Sequence, residues 1–299
     1  MSTTAIDKQT QTIAEDVPVT VIKPSKGWVS VDFGEIWRYR ELFGFMVWRD
    51  IKVRYKQTVL GFLWAIIGPL ISTLIFSIIF KKVGKIETDG LPAPIFFMIG
   101  LMIWKYFATG FGAASNSLTS NGALLTKIYI PRLILPIAPL FTNLVDFFIT
   151  FVVFLLLLAY YETLPAITIV FIPFLLLLTM IASLGLGLFF AALNVRYRDV
   201  RQIVPFITQL WMYVTIIVPF SAVPGLLTEK YDHLKYLYGL NPMAGIVEAF
   251  RWCLANHKMG EAAVFQWQLL LIGTVVSIIM LFVGLAAFKR MERQFADIV

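Results

Sequence analysis

The apolar positions of this chain fall into six long runs, about 59–80, 93–113, 133–159, 166–193, 202–221 and 267–288, parted by stretches richer in Gly, Pro and charge. A helix rising about 1.5 Å per residue needs about 20 residues to cross roughly 30 Å of hydrocarbon, so the pattern predicts six membrane-spanning helices. The fifth run is the most polar, with Pro205 and Pro219 near its ends and Gln202, Thr208, Gln209 and Thr215 along it. Neighbouring helices can satisfy such groups inside a bundle, so it counts as a span. Ahead of the first run the pattern changes. At about 100° per residue, Arg38, Glu41, Arg49, Lys52 and Lys56 share one narrow stripe, while Trp37, Tyr39, Phe43, Met46, Val47, Trp48 and Ile51 occupy the rest of the circumference. A helix of this kind lies along the membrane surface, with its cations reaching headgroups and its aromatics sunk at the boundary. A plain topological anchor is the competing reading of the same cations.

Composition agrees with this pattern. Hydrophobic residues make up 59% of the 299 and charged residues only 14%, against about 45–50% and about 25% in soluble domains. The formal charge of +7 would suggest nucleic acid in a soluble protein; in a membrane protein the placement of cations along the loops carries the information instead, and no nucleic-acid partner is expected. Loops on the side of the termini hold about twice the Lys and Arg of the opposite loops. Both termini are therefore expected in the cytoplasm, although Lys81, Lys82 and Lys85 oppose the trend. The polar N-terminus lacks the basic and apolar regions of a secretory signal. The resulting division is a flexible cytoplasmic tail (1–28), an interface helix (29–58) and a six-span domain (59–299), all-α throughout.

Little catalytic chemistry is readable. No Gly-rich phosphate loop is present, since Gly84-Lys85 lacks both the upstream Gly and the following Ser or Thr. His233 and His257 have no ligand partners at metal spacing, and Cys253 is alone, so neither a metal site nor a disulfide is expected. Charges within spans matter more, because one at the helix centre costs about 2.5–3.5 kcal/mol. Asp146 lies deep in the third span with Asn143 and Thr150 on the same face; it reads as an interhelical contact in preference to a transport residue. Lys105 can pair with Asp146 or snorkel. Ser183, Gly187 and Ala191 make a small-residue face suited to close packing within the chain or to dimerisation. Trp64, Trp104, Tyr106, Phe107, Trp211 and Tyr213 could pack on sugar rings along a path or sit in interface belts. Two inner loops suit a protein partner: one where Asn121 caps a short helix carrying Leu124, Leu125 and Lys127, and one presenting Arg196, Arg198, Asp199 and Arg201.

Four segments in order, "WRDIKVRYKQTVLGFLWAIIGPL", "LLTKIYIPRLILPIAPL", "RYRDVRQIVPFITQLWMY" and "LNPMAGIVEAFRW", resemble the membrane permeases of ATP-binding-cassette polysaccharide exporters, which move O-antigen, capsular polysaccharide or teichoic acid. The resemblance runs from about Val29 to the C-terminus. It implies a homodimer of six-span subunits with two nucleotide-binding ATPase subunits, ATP and Mg being held by those partners and no cofactor or catalytic residue by this chain. It further implies a coupling helix at Asn121, Leu124, Leu125, Lys127 and Tyr129, and short outer helices in 222–266 gating the exit, with Asn241, Pro242, Glu248 and Arg251. The first and fifth spans would line the channel, with Trp64, Tyr106, Phe107, Trp211 and Tyr213 as its aromatics. In "YVTIIVPFSAVP" the chain departs from members that carry Pro directly after the Thr corresponding to Thr215. A lipid-linked glycan brings a diphosphate to the inner leaflet of the cytoplasmic membrane, where Arg38, Arg49, Lys52 and Arg54 offer donors. Competing readings are a permease for drug or lipid export and a non-conducting scaffold of a glycan-assembly complex.

Overall fold

The computed structural model describes residues 33–56, 62–86, 88–125, 127, 129–163, 167–217, 237–256, 259 and 264–292. The expected tail, residues 222–236 of the expected outer segment 222–266, and both histidines lie outside the described residues. Among the described residues every regular element is helical. The surface segment forms two pieces, α1 (Phe33–Arg38) and α2 (Arg40–Lys56), parted at Tyr39. The first span is α3 (Leu63–Phe76), continued by a π-helical stretch, Ser77–Val83. Then come α4 (Ala93–Ser120), the single turn α5 (Gly122–Leu125), α6 (Ile134–Tyr160) and α7 (Ile172–Arg196), the last entered through a 3-10 turn at Ile167–Phe171. The chain continues as α8 (Val200–Ile217), α9 (Pro242–Ala255) and α10 (Trp267–Met291).

Among the described residues five helices are long and apolar enough to cross a membrane: Leu63–Val83, Ala93–Ser120, Ile134–Tyr160, Ile167–Arg196 and Trp267–Met291. These coincide with five of the six predicted runs. The sixth, 202–221, is helical as α8 up to Ile217 but is not among the five, and its outer end lies outside the described residues.

The bundle is built around α4, most of whose residues are buried. Ile95, Phe96, Phe97, Ile99, Ile103 and Phe107 on it are fully covered by α6, α7, α8 and α9. Lipid tails are as apolar as leucine, so helices in a membrane associate through close packing, which small residues allow. The face Ser183, Gly187 and Ala191 of α7 is spent inside the chain. The Ser183 hydroxyl donates to the Phe107 carbonyl at 3.2 Å, and a Cβ on Gly187 would stand 2.5 Å from the Ala114 Cβ. The other side of α7 makes an equally close crossing that the sequence reading missed. A Cβ on Gly185 would fall 2.6 Å from the Leu281 amide nitrogen, and one on Gly284 would run into the Gly185 carbonyl. By contrast α3 and α10 leave broad apolar surfaces uncovered, including Leu70, Leu74 and Ile78 on the first and Val275, Ile279 and Phe282 on the second. Such faces suit hydrocarbon.

Because the obstacle at Gly284 is backbone, Gly284→Val should cost more than the about 1–3 kcal/mol usual for overpacking. Its apparent unfolding temperature in detergent should fall by several degrees, while Gly112→Ala, with nothing near the added methyl, should leave it unchanged or slightly raised.

Candidate functional site

The surface helix α2 packs along α6, with Phe43 and Met46 one turn apart on a shared stripe. Phe43 packs edge-on against Phe141 at 5.1 Å, and Met46 is buried. At the end of this stripe the two helices exchange charge. Arg54 donates to Asn143 Oδ1 at 3.0 Å and pairs with the Asp146 carboxylate, whose other oxygen accepts from the Tyr55 hydroxyl. Burial first, then the hydrogen bond to Asp146 and its charge, push the Tyr55 phenol above its ordinary value. Tyr55 therefore remains a protonated donor at any physiological pH. Asp146 is thus an interhelical contact, as its position in the third span suggested, but its partners come from the surface helix. Lys105 stands beside the same group across a small cleft lined by Met102, Lys105, Tyr106, Thr109, Asn143, Asp146, Phe147 and Thr150.

Of the four cations expected at a diphosphate entrance, Arg54 and Arg49 point into the protein. Arg49 donates through two nitrogens to Asp50, at 2.9 and 2.8 Å, and reaches Asn121 Oδ1 at 3.5 Å. Arg38 and Lys52 are exposed and join no cluster. Asn121 does not cap the turn after it with its side chain. Its amide donates back to the Ser117 carbonyl at 2.9 Å, while its own carbonyl accepts from Leu124 and Leu125 at 3.0 and 3.1 Å. The helix that follows is one turn, with Leu124 and Leu125 half-buried and Lys127 exposed. Tyr129 is exposed, its ring 6.3 Å from that of Tyr39. Arg132, just beyond, hydrogen-bonds the Glu292 carbonyl at the end of α10. This turn therefore touches α2 and the last span.

The residues expected at the outer gate lie toward the opposite end of α4. Asn241 caps α9 by accepting from the Met243 amide at 3.1 Å and donates to Thr215 Oγ1 at 2.8 Å. Arg251 is wholly buried. It pairs with Glu248 at 2.8 Å, donates to the Ile216 carbonyl at 3.0 Å and lies 3.7 Å from the centre of the Phe96 ring. Tyr238, which the sequence reading passed over, donates to the Val214 carbonyl at 2.9 Å. Its hydroxyl is held protonated by burial and by the negative charge of Glu248. Three consecutive residues at the end of α8 are thereby tied to the α9 region. Pro242 is buried at the start of α9.

The expected channel aromatics separate. Tyr106 and Phe107 are buried in the core, the former donating to the Leu140 carbonyl at 3.3 Å. Trp211 is half-buried, edge-on to Trp104 at 5.7 Å and Phe107 at 5.4 Å. Trp64 is exposed, as is Tyr213, which stacks on Phe76 at 6.4 Å. On α8 a buried stripe of Val204, Thr208 and Thr215 opposes an exposed face carrying Gln202, Gln209 and Tyr213. Among the described residues no three His, Cys, Asp or Glu side chains gather as a metal site would require.

Residues 41–255 match the sequence profile described as ABC-2 type transporter. The chain is 27% identical over 264 residues to the O-antigen export system permease protein RfbA of Myxococcus xanthus, covering 88% of this chain and 97% of that protein. It is 28% identical over 255 residues to the protein of the same name from Klebsiella pneumoniae, covering 84% and 92%. With the polysialic acid transport protein KpsM of Escherichia coli the identity is 23% over 253 residues, covering 82% and 91%.

Arg251→Met breaks the Arg251–Glu248 pair and removes the donor to the Ile216 carbonyl, so it should cost about 3–5 kcal/mol. The double variant Arg251→Met/Glu248→Gln should recover part of that loss, which a double-mutant cycle on thermal unfolding in detergent would read directly.

Proposed function

Since the chain belongs to the ABC-2 type transporter membrane family, we propose that it is the permease subunit of an ATP-driven exporter that moves lipid-linked polysaccharide, such as O-antigen, across the cytoplasmic membrane. The observation that carries this reading is likeness over more than four fifths of the chain to O-antigen export permeases and to a polysialic acid transport protein, reaching 97% of one of them. The chain itself is no enzyme in this reading. ATP and its Mg belong to a separate nucleotide-binding subunit, present in two copies beside two copies of this chain, and both termini face the cytoplasm.

The physical features support the same reading. A long polar polymer cannot shed its hydration into lipid, so it needs a protein-lined path. Gln209 on the exposed face of α8 is equally ill-suited to hydrocarbon, which favours that face, with Tyr213 and with Trp64 of the first span, as a wall of the path. The turn from Asn121 to Tyr129 is the coupling element, with Leu124, Leu125 and Lys127 offered to the ATPase. Its contacts to Arg49 and Tyr39 give it a short mechanical link to the surface helix. The outer clamp at Asn241, Pro242, Glu248 and Arg251 gates the exit by moving the end of α8 with α9. Arg38, Arg49, Lys52 and Arg54 serve the lipid-diphosphate entrance.

The test is co-expression with a nucleotide-binding ATPase of the same organism, reconstitution of the purified pair and measurement of ATP hydrolysis with and without lipid-linked glycan. Several-fold stimulation is expected in the wild type. Lys127→Glu and Leu124→Asp should abolish it while leaving the permease folded. Failure of any such ATPase to co-purify, or hydrolysis indifferent to the glycan, would remove the assignment.

A further inference from the structure

The cleft between α4 and α6 brings an orphan amide and two cations side by side. At the far end Arg251 has a carboxylate, a carbonyl and a ring for partners. Here the donors outnumber the acceptors. Asn143 is 1% exposed and its Nδ2 has no partner, although its Oδ1 is engaged. That orientation of the amide is fixed, because Arg54 can only donate and must therefore face the oxygen. Lys105, halfway along α4, makes no hydrogen bond or ion pair among the described residues, although the Asp146 charge attracts it and the Arg54 charge repels it across the cleft. Both oxygens of Asp146 are already taken by Arg54 and Tyr55. Two cations and an orphan amide thus face one committed carboxylate. An unpaired charge at this depth is costly, and an orphan buried N–H adds about 1–3 kcal/mol.

We infer that this cleft is a binding site for the phosphate group of a lipid, held by Lys105 Nζ and Asn143 Nδ2, with Arg54 shared between that phosphate and Asp146. The cleft is small and lies open on one side, so one phosphate oxygen enters it and the remainder of the group stays at the mouth, where Arg54 is half-exposed. Charge-assisted bonds to phosphate replace the missing acceptors, and Asp146 holds Arg54 in place while the site is empty. Tyr55 keeps its bond to Asp146 in both states. Two lipids carry the required chemistry, a prenyl diphosphate and a bulk anionic phospholipid. Taking the first as the physiological occupant rests on the export reading above; the site itself does not.

The full-length protein in detergent would be titrated calorimetrically with farnesyl diphosphate, farnesol and inorganic pyrophosphate. In parallel it would be placed in nanodiscs of phosphatidylglycerol or phosphatidylcholine and retained lipid read by native mass spectrometry. Farnesyl diphosphate is expected to bind, roughly tenfold more weakly in Lys105→Met and in Asn143→Leu, with Lys105→Arg restoring it. Lys105→Met removes no hydrogen bond or ion pair and keeps the apolar stem, so its fold should stand, which equal unfolding temperatures would verify. Asp146→Asn should bind several-fold more tightly, since the carboxylate competing for Arg54 is gone; weaker binding there would overturn the sharing of Arg54. Phosphatidylglycerol retained by the wild type and lost in the same two variants supports the site with a phospholipid as its occupant. Binding of farnesol as tight as its diphosphate, no binding of any probe, or affinities indifferent to Lys105 would overturn it. None of these readouts requires an ATPase, so the export reading and the site can fail separately.

Discussion

In hydrocarbon nothing pushes two apolar helices together, and this structure depends on backbones that approach closely enough to attract one another. The helix α7 is the hinge of that design, with a small-residue face on each side. Gly187 and Ser183 bring it against Ala114 and Gly110 of α4, and Gly185 brings it against Gly284 of α10. Gly245 then seats α9 on the Leu269 carbonyl of α10, and Gly273 of α10 comes up to Pro242. The stack α4, α7, α10, α9 is held by close contacts, backbone against backbone where α7, α9 and α10 meet and through small side chains where α7 meets α4. Everything polar is hung on it, and the spacing of the clusters inherits its rigidity.

The two polar clusters along α4 differ in a way that packing alone does not require. Around Arg251 the charge has a carboxylate and a carbonyl for partners, with Nε unmet among the described residues, and the result ties one helix end to another. Around Lys105 and Asn143 the account stays open. A saturated network specifies a single arrangement, whereas an unsaturated one invites a further group. Both touch α4, one through Phe96 and the other through Lys105, so a displacement of α4 relative to its neighbours is felt by both.

Much of this was legible in the sequence because hydrophobic periodicity reports on helices directly. Five spans lie where the apolar runs placed them, and Ser183, Gly187 and Ala191 pack as a small-residue face should. The Gly185–Gly284 crossing was not legible, since two glycines 99 residues apart reveal a shared face only when both helices are in place. The Arg54–Asp146 pair was invisible for the same reason, being separated by 92 positions, although a carboxylate inside an apolar run signalled that donors must come from somewhere. Asn121 misled because an Asn before a turn can bond forward or backward with equal ease, and the Ser117 carbonyl at the end of α4 was the nearer unmet acceptor. Tyr106 and Phe107 misled because an aromatic in a span has the same appearance whether it faces a path or a neighbouring helix.

The bond from Arg132 to the Glu292 carbonyl gives the inner turn a second support. Through Asn121 and Tyr129 that turn leans on α2, and through Arg132 it leans on the tip of α10. It is therefore braced at two points like the apex of a truss, and a load applied there divides between the surface helix and the last span instead of bending the turn. Stiffness at such an apex lets a single helical turn transmit displacement that a free loop would absorb.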